Sequence, residues 1–355
     1  MEPWGIGDLV LATGALRRCR AAFPNAVITV LAKSYAMALV VSPELADAVV
    51  AYDFPWTAFT QKYRLSRYRL GELAKLIWRL RRTRYDLVLN ARSDVRNNLL
   101  GAMIGGGRFV SVKCGLGDVF ATTVVEVSRD SHRVDDWASV MHVATGMPTE
   151  GDQPHLAVKD ADRERMRGEL GLPVNRDALV VGIHPGARIA VRRWELARFA
   201  AVADTIAERL GATLLVFAEP DGYGADMPAT TRFTVVRRPL DELKTVLSLC
   251  DVLICNDSGP MHIASALDVP VVAVFGPTQL EWFGPRGRRS RVIRLAEVAC
   301  RPCSDMCSFA EPFCMTGVNE DRVVDAALSL LAAGGSDVAP VAMSLPARRS
   351  LQSQH

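Results

Sequence analysis

The stretch CNDSGPMHIASALDVPVVAVFGPT, residues Cys255–Thr278, reads as strand, turn, helix, strand, turn. Asn256-Asp257-Ser258-Gly259-Pro260 closes one strand and opens a helix. Asp257 or Ser258 can cap that helix, Gly259 lets the backbone approach a ligand, and Pro260 suits a first turn. The free N–H groups and the helix dipole favour a phosphate there, and His262 in the same first turn could reach that anion. Gly276-Pro277-Thr278 makes a second turn at a strand C-terminus, the edge where open α/β sheets bind ligands. Ordinary capping would use the same residues one by one. The whole string is far more specific than its parts.

The surrounding sequence repeats this alternation. Predicted strands are Leu179–Ile183, Thr213–Phe217, Phe233–Val236, Asp251–Cys255 and Val271–Phe275; predicted helices are Glu195–Leu210, Leu240–Leu249, Pro260–Leu267 and Glu320–Ala333. The stretch GIHPGARIAVRRW (Gly182–Trp194) ends a strand at His184, turns through Pro185-Gly186-Ala187, and carries Arg188, Arg192 and Arg193 toward the next helix. Guanidinium groups bind phosphate bidentately, so three of them after such a turn suit a diphosphate; a basic exposed loop is the plainer reading.

The first half has the same character, with strands predicted at Ala26–Ala32, Asp86–Asn90 and Arg108–Val112 and helices at Leu9–Ala22, Tyr68–Thr83 and Val95–Ile104, the last stopped by Gly105-Gly106-Gly107. Alternating strands and helices throughout define an α/β chain. The opening GIGDLVLATGAL puts Asp8 at a helix N-terminus, where it is either a cap or a group facing a cleft. A lone GxG is weak support for a nucleotide. Doubly wound domains usually begin with a strand before such a turn. Here the turn arrives at residue 5, so the chain either lacks an upstream first strand or reduces it to a stub. Gly146–Pro154 (GMPTEGDQP) reads as a linker. The expected organisation is an N-terminal domain over 1–150, a C-terminal domain over 151–335, and a tail without fixed structure over 336–355.

These strings together resemble glycosyltransferase family 9, the ADP-heptose:lipopolysaccharide heptosyltransferases. GIGDLVLATGALRRCRAAFPNA, YDLVLNAR (Tyr85–Arg92), HPGA (His184–Ala187) with RRW (Arg192–Trp194), and NDSGPMH with FGPT carry the likeness. The resemblance implies a GT-B fold, with two Rossmann-like domains facing each other across a cleft, and inversion at the anomeric carbon. It implies Asp8 as general base. Asp257, Ser258, Gly259 and His262 fall in the diphosphate site, beside His184, Gly186 and Arg188 of the basic turn. Arg192 stands where many members have a phosphate-binding lysine, and Glu219 falls where members often contact the nucleoside.

At 355 residues and 49 % hydrophobic content the chain can bury two cores. No apolar run reaches the roughly 18 residues of a membrane span, and the N-terminus lacks a secretory layout, so a cytoplasmic enzyme is expected. The net charge of +3 does not point to nucleic acid. Between Lys62 and Arg84, however, nine basic residues face one acid, Glu72, with Tyr63, Tyr68, Trp78 and Tyr85 interleaved. That segment is either a solvated helix face or a surface for an anionic partner, such as lipid head groups at the inner membrane face or a phosphorylated glycolipid. Cys300, Cys303, Cys307 and Cys314 follow C-x2-C-x3-C-x6-C. Four thiolates so close could hold structural zinc or iron, and reduced packing in a loop is the other reading.

The expected reaction is inverting transfer of a heptose or related sugar from an ADP-sugar to a hydroxyl of a lipopolysaccharide core or other envelope glycan, with no cofactor required. A sugar-nucleotide epimerase or isomerase of the same architecture, and a catalytically silent sugar-nucleotide-binding protein, are the alternatives.

Overall fold

The structure is a computed structural model that describes residues 1–58, 64, 68–148, 153–173, 175, 178–296, 298–303, 306–333 and 338–343. The chain divides into two compact units, Met1–Leu156 and Ala157–His355. Of the residues singled out above, Lys62, Tyr63 and Arg67 lie outside the described set.

The first unit runs α1 (Ile6–Leu11), α2 (Thr13–Ala22), β1 (Thr29–Ala32), β2 (Ala48–Ala51), α3 (Leu70–Thr83), β3 (Leu87–Asn90), α4 (Val95–Ile104), β4 (Arg108–Val112), β5 (Thr123–Val125) and α5 (Arg133–Thr145). Its strands form two parallel sheets, β1–β2 and β3–β4–β5. The single helix expected over Leu9–Ala22 begins earlier and is interrupted at Ala12. There the Thr13 hydroxyl donates back to the Val10 carbonyl at 2.6 Å, the local bonding by which Thr and Ser disturb helices. Glu2 makes one parallel bridge to Ala32, and its N–H donates to the Leu31 carbonyl at 2.9 Å. Helix α4 ends at Gly105, whose φ of +71° suits only glycine well.

The second unit runs α6 (Asp160–Glu169), β6 (Val180–His184), α7 (Leu196–Leu210), β7 (Thr213–Phe217), β8 (Phe233–Val236), α8 (Leu240–Leu247), β9 (Val252–Asn256), α9 (Gly259–Ala266), β10 (Val271–Val274), α10 (Leu280–Phe283), β11 (Arg289–Ile293), α11 (Phe313–Thr316), α12 (Glu320–Ala332) and β12 (Val338–Met343). One parallel sheet is ordered β12-β11-β10-β9-β6-β7-β8. Strands β6 and β9 are buried along their whole length, which is why they read as unbroken apolar runs. Helix α7 buries Phe199, Val202, Ala203 and Ile206, the i, i+3, i+4, i+7 stripe, and each of the larger side chains contributes roughly 1.5–3 kcal/mol.

Arg289–Ile293 (RSRVI), not among the strands expected from the sequence, is strand β11: Ser290 is fully buried and Arg291 nearly so. The tail expected without structure from 336 instead contributes β12, an edge strand on β11. The pairing register slips between Arg289 and Arg291, where Val338 and Val341 are their partners, so Pro340 falls in the irregularity that an edge strand tolerates. Residues 344–355 lie outside the described set.

The sheet order defines where a ligand belongs. From β6 the chain steps outward through β7 and β8, then returns to β9 on the other side of β6 and steps outward again. The crevice beyond the C-terminal ends of β6 and β9 is therefore the topological switch point.

Candidate active site

At that switch point the structure gathers residues far apart in sequence. His184 ends β6, and its Nδ1 lies 3.2 Å from the Ser258 Oγ at the N-cap of α9. Its Nε2 lies 3.6 Å from Glu219 Oε1, just after β7. This contact is not an ion pair. Burial, helped by Arg193, lowers the His184 pKa to about 4, so the ring is neutral near pH 7. Burial likewise raises the Glu219 carboxyl, against the pull of Arg193 and Arg188.

Gly186 explains itself sterically. A Cβ there would stand 2.2 Å from Glu219 Oε1 and 2.6 Å from its Cγ, so any larger residue displaces that side chain. Arg188 is exposed in the following turn. Arg192 closes a short turn, Ala190–Arg192, and its Nη1 donates to Asp257 Oδ2 at 3.0 Å; the carboxylate is only 5 % exposed.

The capping reading of Asp257 and Ser258 is revised. Asp257 turns to Arg192, and Ser258, though at the N-cap position, makes no side-chain cap bond because its hydroxyl meets His184. The N-terminal turn of α9, from Gly259, is thus not closed by its own N-cap side chain, which is the condition for receiving an anion. His262 lies one turn into α9 and is buried.

Sequence reading missed the residues that hold this arrangement. Asn256, fully buried, accepts from the Trp194 N–H at 3.1 Å and donates from Nδ2 to the Pro185 carbonyl at 2.8 Å. It ties the end of β9 to both ends of the basic turn. Arg193, expected to face phosphate, donates through Nε to the Ala187 carbonyl at 2.8 Å and lies 4.2 Å above the Tyr223 ring. A buried asparagine at a strand end beside Asp257 was the signal available in the sequence.

In the first unit, Asp8 occupies the third position of α1. Gly5 N–H donates to its Oδ2 at 2.9 Å, and Arg92 Nη2 donates to its Oδ1. Arg92 Nε also reaches Glu2 Oε1 at 3.3 Å, and Trp137 Nε1 donates to Glu2 Oε2 at 3.2 Å. Burial works against the Arg92 charge, yet Asp8 and Glu2 outweigh it and hold the guanidinium firmly protonated. Burial raises the Glu2 carboxyl, opposed by Arg92 and reinforced by Asp8. Asp8 is 15 % exposed against 3 % for Glu2, so Asp8 is the carboxylate of the pair that solvent reaches.

The basic helix is α3. Arg79, Arg81 and Arg82 are exposed on it, and the Arg82 guanidinium lies 4.6 Å from the Trp78 ring. Trp78, Arg81, Arg82, Arg84, Tyr85 and Gly106 line an open groove of about 610 Å³.

The metal expectation gains no support. Among the described residues, no group of three or more His, Cys, Asp or Glu side chains is placed to hold an ion. Cys300, Cys303, Cys307 and Cys314 form no disulfide. They line a small apolar space with Gly276, Pro277, Phe309 and Phe313, and burial pushes the Cys314 thiol up to about 11. Helix α11 carries Cys314 inward beside Gly276, while the other three stay partly exposed. The loop instead covers the Gly276–Thr278 turn, to which Arg301 Nε donates at the Gly276 carbonyl, 2.8 Å away.

The family model for glycosyltransferase family 9 (heptosyltransferase) matches residues 73–313. Lipopolysaccharide heptosyltransferase 2 of Salmonella typhimurium is 24 % identical over 318 residues, covering 82 % of this chain and 86 % of the relative. A family 9 glycosyl transferase structure from Veillonella parvula superposes with a TM-score of 0.78 at 22 % identity, covering 93 % of this chain and 95 % of the other. The structure of Escherichia coli ADP-heptose lps heptosyltransferase II superposes with a TM-score of 0.72 at 19 % identity, covering 94 % and 98 %. The α/β GT-B fold expected from the sequence is the fold these structures share. With the family model spanning both units and the basic turn, the NDSGPMH string and the FGPT turn all inside it, the chain belongs to glycosyltransferase family 9, the heptosyltransferases.

Proposed function

We propose that the enzyme transfers a heptose from ADP-heptose to a hydroxyl of a lipopolysaccharide core, with inversion at the anomeric carbon. The observation that carries this reading is the convergence of His184, Gly186, Glu219, Arg192, Asp257 and Ser258 at the switch point of the second sheet, beside the open first turn of α9. A diphosphate suits that place. Arg192 and Arg188 supply positive charge, and the Gly259–His262 turn supplies backbone donors and the end of a helix dipole. Glu219, at the end of β7, would meet the ribose hydroxyls.

Asp8 takes the acceptor proton. The acceptor oxygen then bonds to the anomeric carbon, and the bond to the β-phosphate oxygen breaks with its electron pair passing to ADP. Charge on ADP rises as this happens, and preorganised donors at such a site are commonly worth roughly 3 kcal/mol each. Arg92 and Gly5 orient Asp8 rather than replace it. Neither the proton transfer nor the departure of ADP requires a cofactor. The α3 face and its groove would hold an anionic glycolipid at the inner face of the cytoplasmic membrane.

The test is incubation with ADP-heptose and a heptose-deficient core acceptor, following ADP release and the acceptor mass. A gain of one heptose in the α or β configuration opposite to the donor supports the reading. ADP-heptose left intact, or isomerised without acceptor, refutes it.

A further inference from the structure

The loop that carries Cys300, Cys303, Cys307 and Cys314 folds around its own thiols. All four line one space of about 10 Å³, the volume of about one water. Cysteines on the walls of so small a space are neighbours. Two features hold the loop in that shape. The Met306 N–H donates to the Cys303 carbonyl at 3.0 Å, which turns the chain back after Cys303. The Phe309 and Phe313 rings then meet edge to face, 5.0 Å apart, and clasp the loop to α11 beside Cys314.

The four thiols are not equivalent. Cys314 is 6 % exposed. Burial holds its pKa up at about 11, against the pull of Arg301, so it stays protonated near pH 7. Among its three neighbouring thiols Cys303 opposes its ionisation most, ahead of Cys300 and Cys307. Cys303 itself is partly exposed. A thiol that solvent reaches, beside one that it does not, is the arrangement of an oxidisable cysteine and its resolving partner.

The same space borders the donor machinery. Val191, inside the Ala190–Arg192 turn, lines it together with Gly276. The Cys314 Sγ lies 3.3 Å from where a Cβ on Gly276 would stand. Arg301, two positions before Cys303, donates from Nε to the Gly276 carbonyl at 2.8 Å and from Nη1 to the Leu295 carbonyl at 3.0 Å.

We propose that Cys303 and Cys314 are a hydroperoxide-sensitive pair whose disulfide disturbs the Gly276–Thr278 and Ala190–Arg192 turns and so weakens nucleotide binding. The last step rests on the donor site lying at the switch point. With hydrogen peroxide, the Cys303 thiolate attacks one oxygen and becomes a sulfenic acid, and the other oxygen leaves as water. The Cys314 sulfur then displaces the sulfenic hydroxyl. Its own proton departs with that hydroxyl as a second water, and the S–S bond forms. The two sulfurs give up two electrons, which the peroxide takes. Closing the bond moves the Cys303 backbone, and Arg301 shifts from the Gly276 carbonyl with it.

The test treats the reduced 355-residue protein with a small excess of hydrogen peroxide, maps its disulfides by peptide mass and measures ADP affinity by calorimetry. A Cys303–Cys314 bond should appear. ADP affinity should fall by about tenfold, the worth of one hydrogen bond to a charged group, and return with dithiothreitol. Cys303→Ser should keep the reduced affinity and lose the response, and Cys307→Ser should keep both. Cys314→Ala should stop at a Cys303 sulfenic acid that dimedone traps; where that buried substitution does not fold, Cys303→Ser decides. A disulfide mapped to another pair, an oxidised protein with unaltered ADP affinity, or a metal ion found on the four thiols overturns the proposal. Reduced protein that binds no ADP refutes the donor reading and with it the last step, while the disulfide map still decides the pair.

Discussion

Replacing His184 by Gln should flatten the acid dependence of the second unit's stability. Burial, with Arg193 nearby, lowers the His184 pKa from 6.5 to about 4. As pH falls below 6.5 the unfolded chain takes up a proton that the folded ring refuses. The contribution of neutral His184 is thus fully present above about pH 6.5 and is lost as pH falls through about 4. At about 1.4 kcal/mol per unit the whole difference is about 3 kcal/mol, of which about 2 kcal/mol is already gone at pH 5. Glu219 acts in the opposite sense, because its raised carboxyl favours the fold at low pH. Comparing wild type with His184→Gln at each pH cancels most of that opposing effect, since Gln keeps a polar side chain beside Ser258 and does not titrate. The assay is native-state hydrogen exchange of the β6 and β9 amides at pH 7, 6 and 5. Wild type should lose about 2 kcal/mol more than the variant across that range. Parallel curves for the two proteins would show that the ring is not held neutral by its surroundings, and the polar cluster built on it would need another explanation.

Further outcomes are expected. Asp8→Asn should lower kcat by about 100- to 10,000-fold in the heptose-transfer assay, the usual worth of a positioned base, while calorimetric ADP affinity stays within about twofold. Arg192→Ala should weaken ADP binding by about tenfold to 100-fold, measured by calorimetry, since it removes a charged donor from a nearly closed site. Gly186→Val should raise the donor KM, because its Cβ would displace Glu219; an unchanged KM would separate Glu219 from donor recognition. Reversing Arg79, Arg81 and Arg82 to Glu should reduce sedimentation with anionic vesicles at low salt and leave ADP affinity unaltered.

Much of this site was legible because its parts sit on fully buried strands. Val180–His184 and Val252–Asn256 lie within a residue of the predicted ends, as unbroken apolar runs allow. Strand β11 was hidden by its own composition: a segment reading Arg-Ser-Arg gives no sign that Ser290 will be buried. Partnerships were invisible for a different reason. Arg92 lies 84 positions from Asp8, Ser258 lies 74 from His184, and Asp257 lies 65 from Arg192; only the fold decides that such charges meet. The cysteine spacing alone could not decide between a metal and packing, because spacing constrains the backbone and not the direction of Sγ atoms.

Arg192 meets any ligand already engaged, with Asp257 3.0 Å away. An arriving phosphate therefore competes with a resident anion, and what it gains is the difference between two partners rather than the whole of a charged bond. Such an exchange favours a polyvalent anion over a weak one, so a diphosphate can win the guanidinium where a lone monophosphate or chloride does not. It also works in reverse. On the proposed reading, when the spent nucleotide begins to leave, the carboxylate would stand ready to take the guanidinium back, and the departing group would not have to abandon a bare positive charge. If Arg192 holds the diphosphate as proposed, a residue pair that looks like a simple structural tie would also serve to release it, and would hold the charge in place between one turnover and the next.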